Sequence, residues 1–93
     1  MTKEQIAFAN ARLLYRGAWL STYSPGDGVR RYRLLDVREW CKRHDCTEMD
    51  IEDGLAAPPD YFGGVAIVTA LGSHEAKVMV DAYIEGWDAG RRA

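Results

Sequence analysis

The sequence predicts a small α+β domain in which a short three-stranded sheet packs against an N-terminal and a C-terminal helix. Three observations indicate this class. Apolar residues recur at helical spacing near both ends of the chain, residues 18–35 alternate around a turn, and a β-branched apolar run flanked by glycines spans residues 65–71. With 93 residues, 47% of them apolar, residues 1–93 suit a single domain with one core.

The first helix is predicted from Lys3 to Arg16. Thr2 followed by Gln5 has the form of a capping box, in which each side chain satisfies one free amide at a helix start. Gly17 then stands where a left-handed residue ends many helices.

Residues 18–35 admit two interpretations. Ala18–Tyr23 and Val29–Leu35 alternate as strands do, and the segment between them is dense in turn-forming residues, which indicates a β-hairpin with a long loop. Alternatively, the first helix continues through Leu20 and a loop follows it.

Two short helices are predicted next, forming a helical hairpin. Asp36 with Glu39 and Thr47 with Asp50 each have the spacing of a helix start, and Pro58 follows the second helix because proline cannot donate the next amide hydrogen bond.

A strand, Val65–Leu71, and a helix from Ser73 to about Gly90 complete the chain. Ala82, Gly86 and Gly90 recur at four-residue spacing on that helix, which permits close approach of another backbone. The expected partner of this face is the protein's own sheet or, as an alternative, a second copy in a homodimer.

Composition limits the classes of function. The net charge is −2, so the chain as a whole is not expected to bind nucleic acid directly or an anionic membrane. The polar N-terminus differs from a signal peptide and the longest apolar run is too short to cross a bilayer, so a cytoplasmic location with two reduced cysteines is expected.

The stretch from Asp36 to Leu55 resembles a DNA-binding helix–turn–helix in its spacing, with Asp45 at the turn and Ile51 pointing inward. Its second helix would present carboxylates to the phosphates of DNA, which would repel it. We therefore keep a DNA-binding regulator as an alternative, with a basic cluster as its phosphate contacts: Arg30, Arg31, Arg33, Lys42 and Arg43.

Charge is segregated along the chain, since residues 45–60 contain six acidic residues and no basic one. Five of these form what we call the acidic strip: Glu48, Asp50, Glu52, Asp53 and Asp60. Such a strip suits docking onto a basic surface of another protein, whose positive charge would accelerate the encounter.

The residues that could support catalysis or metal binding are few. Cys41, His44 and Cys46 lie close in sequence, but the second ligand pair of a structural zinc site is missing, and no orienting group or oxyanion loop accompanies Cys41 and His44. We expect no catalytic residue, metal or cofactor, and keep a small enzyme or enzyme subunit as a second alternative.

The sequence therefore predicts a non-catalytic protein–protein interaction module or inhibitor whose partner is a host protein or protein complex. One version is a phage or mobile-element antagonist that blocks a nucleic-acid-binding surface, as some anti-CRISPR and DNA-mimic proteins do. That analogy rests on size and charge.

Overall fold

The structure is a computed structural model that describes residues 1–92, and within them three strands and four α-helices follow one another. In chain order they are α1 (Lys3–Leu13), β1 (Ala18–Tyr23), β2 (Arg31–Asp36), α2 (Val37–His44), α3 (Glu48–Glu52), β3 (Ala66–Leu71) and α4 (Ser73–Arg92). The predicted α+β class is confirmed, as are the hairpin, the third strand, the helical hairpin and the two terminal helices.

The sheet is antiparallel throughout, with strand order β1-β2-β3. In the hairpin, Ala18 pairs with Asp36 and Tyr23 with Arg31, so the alternative in which the first helix continues through Leu20 is wrong. Helix α1 ends at Leu13, one 3-10 turn follows, and Gly17 reverses the chain with a φ of 81°, as its position predicted.

One face of the sheet carries the main core. Leu20 and Leu34 project from the strands and pack against Leu13 of α1 and Val80 of α4. Helix α4 is also joined to the 3-10 turn that follows α1, because the Tyr83 hydroxyl donates to the Arg16 carbonyl oxygen at 2.6 Å.

The opposite face is covered over β1 and β2 by an irregular segment, residues 59–64. The Ser21 hydroxyl donates to the Pro59 carbonyl oxygen at 2.6 Å, and Arg33 Nη1 donates to the Tyr61 carbonyl oxygen at 3.2 Å. Gly64 lies so close to Leu35 that a Cβ there would stand 3.2 Å from a Leu35 methyl carbon. Apart from Asp60 in the acidic strip, the sequence predicts no role for this segment beyond connecting elements.

Helices α2 and α3 form a second, smaller core at the end of the sheet where β1 begins. Buried residues from the end of α1 and from both short helices meet there: Leu14, Val37, Trp40, Cys41 and Ile51. The connection between α2 and α3 turns at Asp45, which adopts the left-handed conformation (φ 51°), one that aspartate tolerates better than most residues.

Candidate protein-binding surface

Helix α3 positions the acidic strip. Thr47 Oγ1 accepts the Asp50 N–H at 3.2 Å, and Asp50 Oδ2 accepts the Thr47 N–H at 3.0 Å, so the predicted capping box is present. Ile51 points into the second core. Helix α3 is only five residues long, and Ile51 is its buried residue. Glu52 and the following Asp53 are exposed, and Glu48 and Asp50 are half-buried.

The carboxylates of α3 act together on their neighbours. A hydrogen bond from Tyr15 to Glu52 raises the pKa of the Tyr15 hydroxyl, and the charges of Glu52, Asp53 and Glu48 raise it further. On the other side of α3, the charges of Glu48 and Asp50 add to burial and to the contact with Cys46 in raising the pKa of Cys41 to about 12. Glu48, Asp50, Glu52 and Asp53 therefore form one region of negative potential, which we call the α3 carboxylates.

No basic side chain neutralises this region by a salt bridge among residues 1–91. The four ion pairs found there lie elsewhere: Arg12–Asp81, Arg16–Asp88, Arg31–Asp27 and Arg43–Glu39. Two arginines of the basic cluster, Arg31 and Arg43, thus pair with other acids, and the acidic and basic segments are not joined by ion pairs within this part of the chain.

Two apolar side chains beside the α3 carboxylates are left exposed. Met49 is 61% exposed and Leu55 is 79% exposed. The sequence analysis did not single them out, although a signal was available. Met49 precedes Ile51 by two residues, which is about 200° around a helix, so the two cannot both face the core. Apolar anchors surrounded by charge are typical of protein-binding surfaces.

Asp60 makes a different local contact from the carboxylates of α3. Its carboxylate accepts the N–H of Gly63 and so closes the turn in the segment that covers the sheet. No hydrogen bond described for residues 1–92 links it to the α3 carboxylates, and its role in partner binding stays a prediction.

The basic cluster is spread along β2 and α2. Arg33 lies 4.5 Å from the centre of the Tyr61 ring and is half-buried beneath residues 59–64. Arg31 and Lys42 are separated by the rest of β2, about 17 Å of extended chain, and by the first turn of α2. Arg30, Lys42 and Arg43 are exposed. The structure therefore does not gather these residues on one face.

The helix–turn–helix alternative gains no support from this geometry. A five-residue α3 spans only about 7.5 Å, which is short for a helix that must lie in the major groove. Its exposed side also carries Glu52.

The cysteine and histidine side chains near α2 are engaged in packing. Cys41 is buried, Cys46 is half-buried and both are free thiols. The His44 ring stacks on Trp40 with ring centres 3.8 Å apart, and His44 Nδ1 lies 3.0 Å from the Trp40 carbonyl oxygen. Among residues 1–92, no three His, Cys, Asp or Glu side chains lie close enough together to hold a metal ion.

Two further findings concern the whole described chain. No helix within residues 1–92 has the length and apolarity needed to cross a membrane. Comparison of the chain with models of known protein families, with characterised proteins and with solved structures found no match.

Proposed function

We propose that this protein is a non-catalytic binding module of the cytoplasm that docks the α3 carboxylates onto a basic, nucleic-acid-binding surface of another protein and thereby inhibits it. The observation that carries the proposal is the group of four carboxylates on and after α3, which no ion pair among residues 1–91 neutralises. A phage or mobile-element antagonist of a host protein is the biological setting that this chemistry suits.

The arrangement matches what such a contact requires. Unpaired carboxylates attract a basic partner from a distance and do not have to break internal salt bridges when they bind it. Met49 and Leu55 lie among them and supply apolar area, which gives a complex its lifetime once the charges have brought the partners together.

Charge reversal at the end of α3 tests the proposal. Glu52→Lys/Asp53→Lys changes two exposed carboxylates, and lysines at the C-terminal end of a helix do not oppose its dipole, so the variant should fold. Wild type and variant are immobilised and exposed to host proteins, and a protein that wild type captures is then purified. We expect the variant to bind it at least about tenfold more weakly, with a weaker dependence on salt concentration.

A matched control and a competition complete the experiment. Glu4→Lys/Glu85→Lys makes the same change in net charge at exposed positions of α1 and α4 and should bind as wild type does. Nucleic acid should compete with the wild-type protein for the captured partner. Equal loss in both double variants, or no competition by nucleic acid, contradicts the proposal.

A further inference from the structure

The two edge strands of the sheet, β1 and β3, differ in how their outward-facing backbone groups are hydrogen-bonded within the chain. At the β1 edge, the buried side chain of Asn10 accepts the Leu20 N–H at 2.7 Å and donates to the Leu20 carbonyl oxygen at 3.2 Å. One amide thus occupies both backbone groups that Leu20 would offer to a further strand. The β1 edge is therefore capped at Leu20 from within the chain.

The β3 edge is open. The Gly72 N–H donates to Arg30 O at 3.1 Å. In an antiparallel pair, residues alternate between those whose backbone groups bond to the neighbouring strand and those whose groups point away from it. Leu71 and Thr69 are therefore residues whose backbone N–H and C=O point away from β2. At this edge, the described contacts of these two residues include only one long hydrogen bond, from the Leu71 N–H to Glu75 Oε2 at 3.4 Å. Thr69 lies in the middle of the strand and offers a donor and an acceptor.

The side chains of β3 add to this exposure. The strand itself has no charged residue and no proline, which are the features that natural proteins use to keep edge strands from pairing. Ile67, Val68 and Leu71 are all exposed, Leu71 by 58%. A β-branched, uncharged and unpaired edge is the kind that accepts another strand.

Helix α4 presents its smallest residues on the same side of the molecule. Its Asp81 pairs with Arg12 of α1 and its Asp88 with Arg16 of the 3-10 turn that follows α1, which defines the side of α4 that faces α1. Gly86 lies roughly 150° around the helix from these two residues, on the flank away from α1 and beside the β3 edge. A Cβ at Gly86 would meet no atom within 4 Å, so the small residue is not required by packing within the chain.

We propose that a second copy of this chain pairs with the β3 edge, antiparallel and about a twofold axis, to give a continuous six-stranded sheet. This dimer is independent of the proposed function. Neighbouring strands lie about 4.8 Å apart, and α4 lies over β3 and β2, so the two α4 helices would lie side by side about 10 Å apart. That is the separation of packed helices, and glycine on the facing flanks allows it.

The area available is sufficient for a dimer. A six-residue strand is about 20 Å long and a 20-residue helix about 30 Å, and each layer is about 10 Å thick, so the contact removes on the order of 1,000 Å² from solvent over both copies. The uncharged strand brings no like charges together at the twofold axis. The capped β1 edge leaves β3 as the place for strand pairing, and growth stops at two copies because a twofold contact consumes both β3 edges.

Sedimentation equilibrium of the wild-type chain and of three variants over a wide concentration range tests the dimer. Thr69→Lys places a charge on the exposed β3 edge, and Gly86→Leu adds bulk to the α4 flank without lowering helix propensity. We expect each to raise the dimer dissociation constant by about tenfold or more. Ala7→Lys, an exposed position of α1, adds the same charge as Thr69→Lys and should dimerise as wild type does.

Circular dichroism of each variant checks that it remains folded. A wild-type chain that stays monomeric at every concentration overturns the proposal, as does a dimer that survives both Thr69→Lys and Gly86→Leu. A monomeric chain whose β3 edge instead binds an extended peptide of another protein also overturns it, since the occupant would then not be a second copy.

Discussion

Cys41 is held as a neutral thiol by its surroundings. Burial is the largest cause, followed by the hydrogen bond and the charge of Cys46, and together with nearby carboxylates they raise its pKa to about 12. An unfolded cysteine ionises near pH 8.5. The folded pKa is the higher one, so this group's stabilisation is fully present below about pH 8.5 and is lost as the pH rises toward 12.

We therefore predict that the free energy of unfolding of the wild-type protein falls between about pH 9 and pH 11. In Cys41→Ala this fall should be smaller. The variant should also be less stable at neutral pH, because the missing sulfur leaves a cavity. Urea unfolding at a series of pH values measures both effects. Tyr15 and Tyr83 also have raised pKa values and remain in both proteins, so the difference between the two curves isolates the thiol. Identical pH profiles would show that Cys41 ionises freely in the folded state.

At the scale of secondary-structure elements, one side chain ties α1 to β1. The Asn10 amide is buried and makes two hydrogen bonds to the Leu20 backbone. Asn10→Ala would leave a buried N–H and C=O without partners, and we predict a loss of about 2–4 kcal/mol in the free energy of unfolding. Urea denaturation with an unchanged m-value measures it.

Asn10→Asp serves as a second test of this prediction. The carboxylate keeps an acceptor for the Leu20 N–H, but it would be buried and would face the Leu20 carbonyl oxygen, so its loss at neutral pH should equal or exceed that of Asn10→Ala. A cost for Asn10→Ala no greater than that of an ordinary exposed substitution, within about 0.5 kcal/mol, would mean that water replaces the amide at this edge.

Elements with local signals could be predicted from the sequence. The capping boxes at Thr2 and Thr47 and the left-handed Gly17 each depend on residues within one turn, and all three are present. The role of Asn10 could not be predicted, because its partner is ten residues away on a strand and a polar residue in an amphipathic helix ordinarily faces solvent. The placement of residues 59–64 against the sheet likewise depends on long-range contacts.

The candidate surface was partly predictable, because part of it also depends on residues that are close in sequence. Glu48, Asp50, Glu52 and Asp53 are close in sequence, so any short helix there brings them together. Whether cations from elsewhere neutralise them depends on the tertiary fold, which pairs Arg31 and Arg43 with acids of their own segments. Asp60 follows the end of α3 by eight residues, and its carboxylate closes a turn with Gly63.

At the scale of the whole molecule, a net charge of −2 conceals a local concentration of negative charge. Like charges held close together destabilise the folded state, by about 0.2–0.5 kcal/mol for each neighbouring pair on a helix. In the unfolded chain they are farther apart. The repulsion among the α3 carboxylates is therefore a cost in stability, as residues placed for binding often carry, although Asp50 also caps α3 and Glu52 accepts a hydrogen bond from Tyr15.

We predict that this cost is visible as a salt effect. Raising NaCl from about 0.01 to about 0.1 M shortens the screening length from about 30 to about 10 Å, which weakens the repulsion and should raise the free energy of unfolding by about 0.5 kcal/mol. Glu52→Lys/Asp53→Lys removes part of the repulsion together with the Tyr15–Glu52 hydrogen bond, and it should lose most of this salt dependence. Urea denaturation at the two salt concentrations measures both quantities.

Glu4→Lys/Glu85→Lys separates the local effect from that of net charge. It changes the total charge equally but leaves the α3 carboxylates in place, so it should retain the salt dependence of wild type. A wild-type protein that is most stable at low salt would mean that the four ion pairs found among residues 1–91, which salt also weakens, outweigh the repulsion at α3. The repulsion would then be too small to show in the stability of the protein, and a stability cost could not be used as an argument for a binding role.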